Sequence, residues 1–197
     1  MTVELKTVCM EVLARKITYE EFAKMDFPDD DPFLYELING ELVRKNAPSG
    51  EHQFVQSELF YRLMHFVTEK KLGRIFSSPT AVILSEENAP QPNLIFLSKE
   101  KIKLLDPEWG IRGAPDMVVE IISPSSYKRD HLEKKRLYAQ HGVVEYWIVD
   151  PSYHSIEIYV LKEKAYELHA FGISGEQITS HIIKDFSIEV DSVFLKE

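Results

Sequence analysis

The least expected side chain in this sequence is Glu120, which lies inside the otherwise apolar segment Met117–Ile122. A segment that is apolar on both faces is typical of a strand in the middle of a covered sheet. A carboxylate at such a position must be paired, protonated or bound to a metal, because an isolated buried charge is strongly unfavourable. Glu120 alone is therefore compatible with either a functional carboxylate or a structural ion pair.

The helix predicted over about residues 129–141 offers this carboxylate a counter-charge. Asp130 and Lys134 share one helical face with Leu137 and Tyr138. We expect Leu137 and Tyr138 to face the sheet, which leaves Lys134 at the inward edge of the helix, within reach of the sheet. The alternative is a simple surface pair between Asp130 and Lys134, worth a few tenths of a kcal/mol.

Three further polar residues have positions that suit chemistry. His52 lies in the first turn of a helix predicted over about residues 51–71, where it could position a phosphate or a water, although such a histidine is more often merely exposed. Glu36 and Glu41 flank the turn of a predicted hairpin. Strand alternation decides which of the two faces inward, and periodicity does not settle it because Glu36 lies between two apolar residues.

The motifs of several common enzyme classes are missing from the sequence. It has no glycine-rich phosphate loop, no Gly-x-Ser-x-Gly elbow and no paired-histidine metal motif, which removes the usual nucleotide-hydrolase, esterase and zinc-protease interpretations. The single cysteine, Cys9, excludes an intrachain disulfide and a cysteine metal site, and we expect it to be a structural thiol. No apolar run approaches the ~20 residues of a membrane helix. These features predict a cytoplasmic protein.

The charge balance limits how the chain can meet nucleic acid. Its 197 residues include 23 Lys and Arg against 32 Asp and Glu, a net charge of −9. At 44% hydrophobic residues the chain can bury a sizeable core, which excludes a disordered protein or a coiled coil. The acidic balance argues against coating nucleic acid through bulk charge. A local basic cleft remains compatible with it, because residues 128–136 are locally basic.

Turn signals and periodicity predict alternating helices and strands, and therefore a mixed α/β sheet. A short helix should begin at the capping box Thr18–Glu21, and a long helix should begin after Ser49 and end at Gly73. Another short helix is predicted for residues 99–105, followed by a loop over 106–115. Strands are predicted at 33–38, 41–46, 74–85, 93–98, 117–122 and 143–150, and in the tail at 154–161, 165–171, 177–183 and 187–190.

Five segments occur in an order and spacing that resemble a known family. They are YELINGELV at 35–43, PSGEHQ at 48–53, QPNLIFLS at 91–98, GAPDMVVEIISPSS at 113–126 and KRDHLEKKRLYAQHGVVEYWIVDP at 128–151. Together they resemble the Uma-two family of restriction-endonuclease-like proteins, within the PD-(D/E)xK nuclease superfamily, over about residues 18–161. The resemblance implies an α/β (α+β) fold, with a restriction-endonuclease-like mixed β-sheet core flanked by helices and extra N- and C-terminal β-hairpins. It also implies one nuclease-like domain over 1–197, in which 162–197 form a C-terminal β extension.

The resemblance further implies a metal-dependent phosphodiesterase site. Glu120 matches the second of the two acids that bind Mg²⁺ in the superfamily. The usual lysine position holds Ile122 here, and Lys134 matches the lysine that takes its place in this family, while His52 and Glu41 match recurrent family positions. The implied catalytic residues are Glu120, Lys134, Asn93 and His52, and the implied ligands of Mg²⁺ or Mn²⁺ are Glu120, Asn93 and Glu41.

The sequence departs from the family pattern at the first acid, because the family's Gln-Pro-Asp is Gln-Pro-Asn here and ends at Asn93. Asn93 keeps a carbonyl oxygen that can ligate a hard cation, but it lacks the negative charge. We therefore expect weaker metal binding and slower or absent chemistry. Asp116 lies about 13 Å along the strand from Glu120, too far to share one ion. Glu41 or Glu58 could compensate.

The expected function is Mg²⁺-dependent hydrolysis of nucleic-acid phosphodiester bonds, with DNA as the favoured substrate and a homodimer as the compatible assembly. Two alternatives stay open. The first is a non-catalytic nucleic-acid- or protein-binding module on a nuclease scaffold, which Asn93 favours. The second is a self-associating structural protein in which Glu120 and Lys134 form only a buried ion pair.

Overall fold

A six-stranded mixed sheet forms the centre of the molecule. The computed structural model describes residues 15–28 and 30–195, so that Cys9 lies outside the described residues. The sheet has the order β11-β10-β9-β8-β5-β3, and only the β8–β9 pair is parallel. Its strands are β3 (Gly73–Ser77), β5 (Leu94–Ser98), β8 (Met117–Ile121), β9 (Glu145–Asp150), β10 (Ser155–Lys162) and β11 (Ala165–Gly172). This arrangement confirms the predicted mixed sheet.

Helices cover both faces of this sheet. The long helix α2 (Gly50–Glu69) buries four apolar side chains against one face: Val55, Leu59, Leu63 and Val67. On the other face lies a helix that consists of a π-helical segment (Arg129–Lys134) continued by α3 (Lys135–Gln140). Because side chains alternate along β8, Glu120 shares with Val118 and Ile122 the face that packs against α3. No helix of the described part of the chain is long and apolar enough to cross a membrane.

Short elements surround the sheet. The helix α1 (Tyr19–Ala23) begins with the predicted Thr18–Glu21 capping box. The predicted N-terminal hairpin is present, because Asn39 and Gly40 adopt the positive φ values of 52° and 74° that its turn requires. The remaining strands form three small sheets: β1 (Leu34–Ile38) with β2 (Glu41–Lys45), β4 (Val82–Ile83) with β6 (Leu105–Asp106) and β7 (Gly110–Arg112), and β12 (Gln177–Thr179) with β13 (Ser187–Glu189).

Two predicted helical features are wrong. The helix expected over 99–105 is only a 3₁₀ turn, Ile102–Leu104, because tertiary contacts hold this segment. The serine expected to cap it instead donates its backbone N–H to the Asp116 carboxylate at 2.7 Å. Gly73 does not end α2 but begins β3, where a Cβ would lie 1.9 Å from the Leu97 carbonyl oxygen. The positive φ after the helix belongs to Lys71.

A buried carboxylate attaches the C-terminal extension to the central sheet. Glu145, at the start of β9, is fully buried. One of its oxygens accepts the Trp147 indole N–H at 2.6 Å and the Ser180 hydroxyl at 2.7 Å. The other accepts the backbone N–H groups of His181 and Ile182 at 2.7 and 3.0 Å. Four donors thus compensate for the burial of this charge, and they fix the extension against β9.

We predict that Glu145→Ala destabilises the protein by about 3 kcal/mol or more, because it leaves four donors without their acceptor, two of them on the buried Trp147 and Ser180. Urea unfolding followed by circular dichroism measures the difference. Glu167→Ala, which removes an exposed carboxylate on β11, is the matched control and should change stability by less than about 0.5 kcal/mol. Equal unfolding midpoints for the two variants would contradict the role of Glu145.

Candidate functional site

A cavity of about 610 Å³ lies at the carboxyl ends of the parallel strands β8 and β9. The loops that follow these strands, residues 121–126 and 151–152, form part of its wall. The first hairpin and the first turns of α2 close the other sides. The carboxyl ends of parallel strands are a frequent place for ligand sites, because loops from neighbouring strands converge there.

A buried lysine and three carboxylates form the closed end of this cavity. The Lys134 Nζ lies 3.0 Å from Glu120 Oε1, 3.0 Å from Glu36 Oε2 and 3.6 Å from Asp130 Oδ1. None of the four side chains is more than 4% exposed. The Tyr138 hydroxyl also donates to Glu120 Oε1, at 2.8 Å. One ammonium group therefore holds together residues from β1, β8 and the helix.

The local backbone explains how these side chains meet. Lys134 is the last residue of the π-helical segment Arg129–Lys134, and Tyr138 lies one helical turn further on in α3. Residues four apart on a helix point in the same direction, so both side chains reach Glu120 Oε1. A π-helical turn is wider than an α-helical one and often occurs at functional sites. The sequence predicted a regular helix here, since residue periodicity does not reveal a single wide turn.

Burial and the charges of neighbouring groups shift the pKa values in this cluster. Burial raises the pKa of Glu120 to about 7, against the opposing effect of Lys134. For Glu36 burial acts in the same direction, but Lys134 and Lys45 outweigh it and hold the pKa below its usual range. Burial alone would lower the pKa of Lys134, yet the surrounding carboxylates raise it. Lys134 and Glu36 are therefore charged at neutral pH, whereas Glu120 exchanges a proton there.

Asn93 and His52 form a second, neutral group beside the cluster. Asn93 Oδ1 accepts the Ile121 N–H at 2.8 Å, and its Nδ2 donates to Gln56 Oε1 at 3.1 Å. His52 Nε2 lies 3.0 Å from the Ile121 carbonyl oxygen. A carbonyl can only accept, so we assign the hydrogen to Nε2 and the free lone pair to Nδ1. Burial lowers the pKa of His52, which keeps the ring neutral at physiological pH.

The chemistry of this donor set fits a divalent cation of the Mg²⁺ type. Glu36 Oε1 and His52 Nδ1 are buried acceptors that line the cavity and have no hydrogen-bond partner among the described residues. In the described part of the chain, no three His, Cys, Asp or Glu side chains are close enough to enclose a metal on their own. Mg²⁺ does not need them, because it is usually held by one or two carboxylates and keeps several waters.

The structure brings together four of the residues selected from the sequence. Glu120, Lys134, Asn93 and His52 all line the same cavity. Glu41, selected as a metal ligand, does not, because it is exposed at the start of β2. The carboxylate that the hairpin directs inward is Glu36, fully buried on β1. Strand alternation in the sequence could not identify Glu36 as the inward-facing carboxylate of the hairpin, because both of its neighbours are apolar.

Neither of the other carboxylates considered as substitutes reaches the cavity. Asp116 binds the Ser98 backbone and lies 3.4 Å from the Lys101 Nζ. Glu58 pairs with Arg62 on α2 at 3.0 Å. The sequence did not reveal the role of Tyr138, because its position predicts only packing against the sheet. Tyr138 lies four residues after Lys134, and its hydroxyl donates to the same carboxylate, that of Glu120.

We predict that Glu120→Gln removes a pH-dependent part of the stability. The pKa of Glu120 is about 7 in the folded protein, above its usual value of 4.5, so folding takes up a proton between these pH values. Wild-type stability should therefore fall as pH rises through this range, by at most about 1.4 kcal/mol per pH unit. Glu36, with its lowered pKa, contributes stability that is lost only at more acidic pH and does not cancel this fall.

Urea unfolding at pH 5, 6, 7 and 8 measures this effect. The Glu120→Gln variant should lack the fall, so that its stability relative to the wild type should rise toward pH 8. Glu100→Gln, which changes an exposed carboxylate, should follow the wild-type profile. Parallel profiles for the wild type and Glu120→Gln would show that Glu120 is ionised throughout this range.

Comparisons with known proteins identify the family. The family described as "Uma2: Putative restriction endonuclease" matches residues 19–191. No curated protein matches the chain. Among solved structures, the crystal structure of a "putative nuclease belonging to DUF820 from Anabaena variabilis" is similar, with a TM-score of 0.72 and 21% identity over 90% of this chain and 97% of that chain. This likeness confirms the mixed α+β, nuclease-like fold. The chain belongs to the Uma2 family of restriction-endonuclease-like proteins.

Proposed function

We propose that the cavity is a divalent-metal-dependent nuclease site that hydrolyses phosphodiester bonds of nucleic acid, DNA in the first place, and that Asn93 lowers its activity. The observation that carries the proposal is the buried Glu120–Lys134 pair at the closed end of an open cavity. A charged pair in the interior is costly to bury, and hydrophobic residues of the same size are often at least as stable. The membership of the family supports a nucleic-acid substrate.

Glu120, the amide oxygen of Asn93 and the unpartnered Glu36 Oε1 are the groups that would hold Mg²⁺ or Mn²⁺. When bound, such an ion would polarise a phosphate and lower the pKa of its water. Glu120 Oε1 already accepts two hydrogen bonds, from Lys134 and Tyr138. Its other oxygen is therefore the one that carries the proton near neutral pH and that becomes available as a ligand when the proton leaves.

Lys134 and His52 have separate tasks in this proposal. The carboxylates of Glu36, Glu120 and Asp130 keep Lys134 protonated, so it acts as a positive hydrogen-bond donor to a phosphate or water and not as a base. His52 is the group that can accept a proton, because its lowered pKa leaves Nδ1 unprotonated at neutral pH. Its Nε2 contact with the Ile121 carbonyl fixes the ring in that orientation.

Asn93 weakens the site in two ways. Its side chain has no charge. Of the pair Asn93 and Glu120, only Glu120 therefore offsets the positive charge of the ion. Its Oδ1 is also already bound by the Ile121 N–H. An aspartate would keep that hydrogen bond with one oxygen and offer the second oxygen in place of Nδ2. Gln56, which now accepts from Nδ2, can donate its own amide instead.

We predict that Asn93→Asp increases both metal affinity and cleavage. Calorimetry with Mn²⁺ should show affinity at least about tenfold above the wild type, since one added charge near the ion is worth about 1.4 kcal/mol or more. Labelled DNA and RNA, single-stranded and duplex, should be cleaved faster by the variant in Mg²⁺ or Mn²⁺. The double variant Asn93→Asp/Glu120→Gln is the control and should lose both gains. Unchanged metal affinity in Asn93→Asp would contradict the assignment of this position.

A non-catalytic nucleic-acid-binding module is the second candidate. The observation that favours it is that both ends of the Asn93 amide are satisfied inside the protein. Such a module would bind nucleic acid equally well in EDTA and in Mg²⁺, and Glu120→Gln would not change its affinity. In the nuclease, Mg²⁺ should instead raise the melting temperature of the wild type and leave that of Glu120→Gln unchanged. A homodimer stays a prediction from the family resemblance.

A further inference from the structure

We propose that the cavity accepts a single unpaired strand of nucleic acid and excludes intact duplex. This inference rests on the proposed function and specifies its substrate. It begins from the depth of the site: Glu36, Glu120 and Lys134 are 0%, 1% and 1% exposed. A phosphate can contact these side chains only if it enters the cavity itself, because they do not reach the outer surface.

The size of the cavity suits one or two nucleotides. Its volume of about 610 Å³ lies within the range of pockets that hold a single small molecule, roughly 300–1,000 Å³. Duplex DNA carries its phosphates on the outside of a stiff rod with a persistence length of about 50 nm. Such a rod cannot insert one phosphate as far as the closed end of the cavity. A single strand can, because its unstacked nucleotides can be splayed apart.

The mouth of the cavity is fixed in this shape. Four different loops each contribute a lining proline, which locks its own φ and limits the movement of the loop. These residues are Pro48 after β2, Pro79 after β3, Pro124 after β8 and Pro151 after β9. Lys45 connects two sides of the cavity, since its Nζ donates to the Gln91 carbonyl oxygen at 3.1 Å. These constraints act against a widening of the mouth that would admit a duplex.

The wall of the cavity carries groups that suit a strand of nucleic acid. Arg44, Lys45 and Arg129 line it and can contact successive phosphates. The guanidinium of Arg44 lies 4.0 Å from the centre of the Phe33 ring, which holds it in place. Tyr153 follows the lining residues 151–152 in the same turn and is 78% exposed. An exposed ring that directly follows the lining residue Ser152 in the chain can serve as a platform on which a base stacks.

Fluorescence anisotropy with the full chain in EDTA tests the proposal without any cleavage. The probes are a labelled 15-nucleotide single strand of DNA, the same sequence as RNA, a blunt duplex, and the duplex with a single-stranded tail. The single strand and the tailed duplex should bind at least tenfold more tightly than the blunt duplex. A smaller ratio overturns the inference but leaves the proposed function intact. Failure of every probe to bind, in EDTA and in Ca²⁺ alike, overturns both.

Matched tyrosine variants test the stacking contact. Tyr153→Ala should lower the affinity for the single strand by about fivefold or more and leave the weak duplex binding unchanged. Tyr61 is the control, because it is 64% exposed on α2 and lines a different pocket, beside β12 and β13. Tyr61→Ala should bind as the wild type does. An equal loss in both variants, or no loss in Tyr153→Ala, overturns the stacking role.

Discussion

The ammonium group of Lys134 is the interaction on which the arrangement of the site depends. It pairs at 3.0 Å with Glu36 on β1 and with Glu120 on β8. Strands β1 and β2 form their own two-stranded sheet, separate from the central one, so this pair connects the first hairpin to the sheet at the cavity. Removal of one partner from a buried ion pair leaves the other charge uncompensated, typically at a cost of about 3–5 kcal/mol. The same residues therefore serve the fold and the site.

The balance of charge around Lys134 gives the neutral side chain of Asn93 a structural role. Glu36, Glu120 and Asp130 already outnumber Lys134. Burial raises the pKa of Glu120 to about 7, and the charges of Asp130 and Glu36 add to this rise. An aspartate at position 93 would add a fourth acid and increase the repulsion in the absence of a cation. Asn93 relieves this repulsion and satisfies the Ile121 N–H as well. In the proposed function, the chain thus gains stability without metal at the same position where it gives up metal affinity.

Each sequence pattern reports a different structural feature, and this decides how much of the fold and the site could be predicted from the sequence. Glu120 and Lys134 were identifiable because a carboxylate in an apolar strand requires a partner and the next helix supplies one. Glu36 was not, since apolar residues on both sides make strand alternation ambiguous, and Glu41 was chosen in its place. The π-helical segment Arg129–Lys134 left no trace in periodicity. The prediction of a helix over 99–105 is wrong because contacts with Asp116 hold that segment. No local sequence pattern encodes these contacts.

The charges of the cavity are divided between its floor and its wall, and this division separates binding from cleavage. Arg44, Lys45 and Arg129 line the cavity and would attract phosphates in the proposed function, whereas the floor around Glu120 carries more acid than base and would repel them. In the proposed function a cation at the floor offsets that repulsion and brings the phosphate to Glu120 and Lys134. Asn93 weakens the hold on the cation but leaves the three wall cations untouched. In the proposed function, such a chain would therefore retain the strand after losing most of its ability to cut it. The net charge of −9 does not prevent this, because the attraction is local to the cavity.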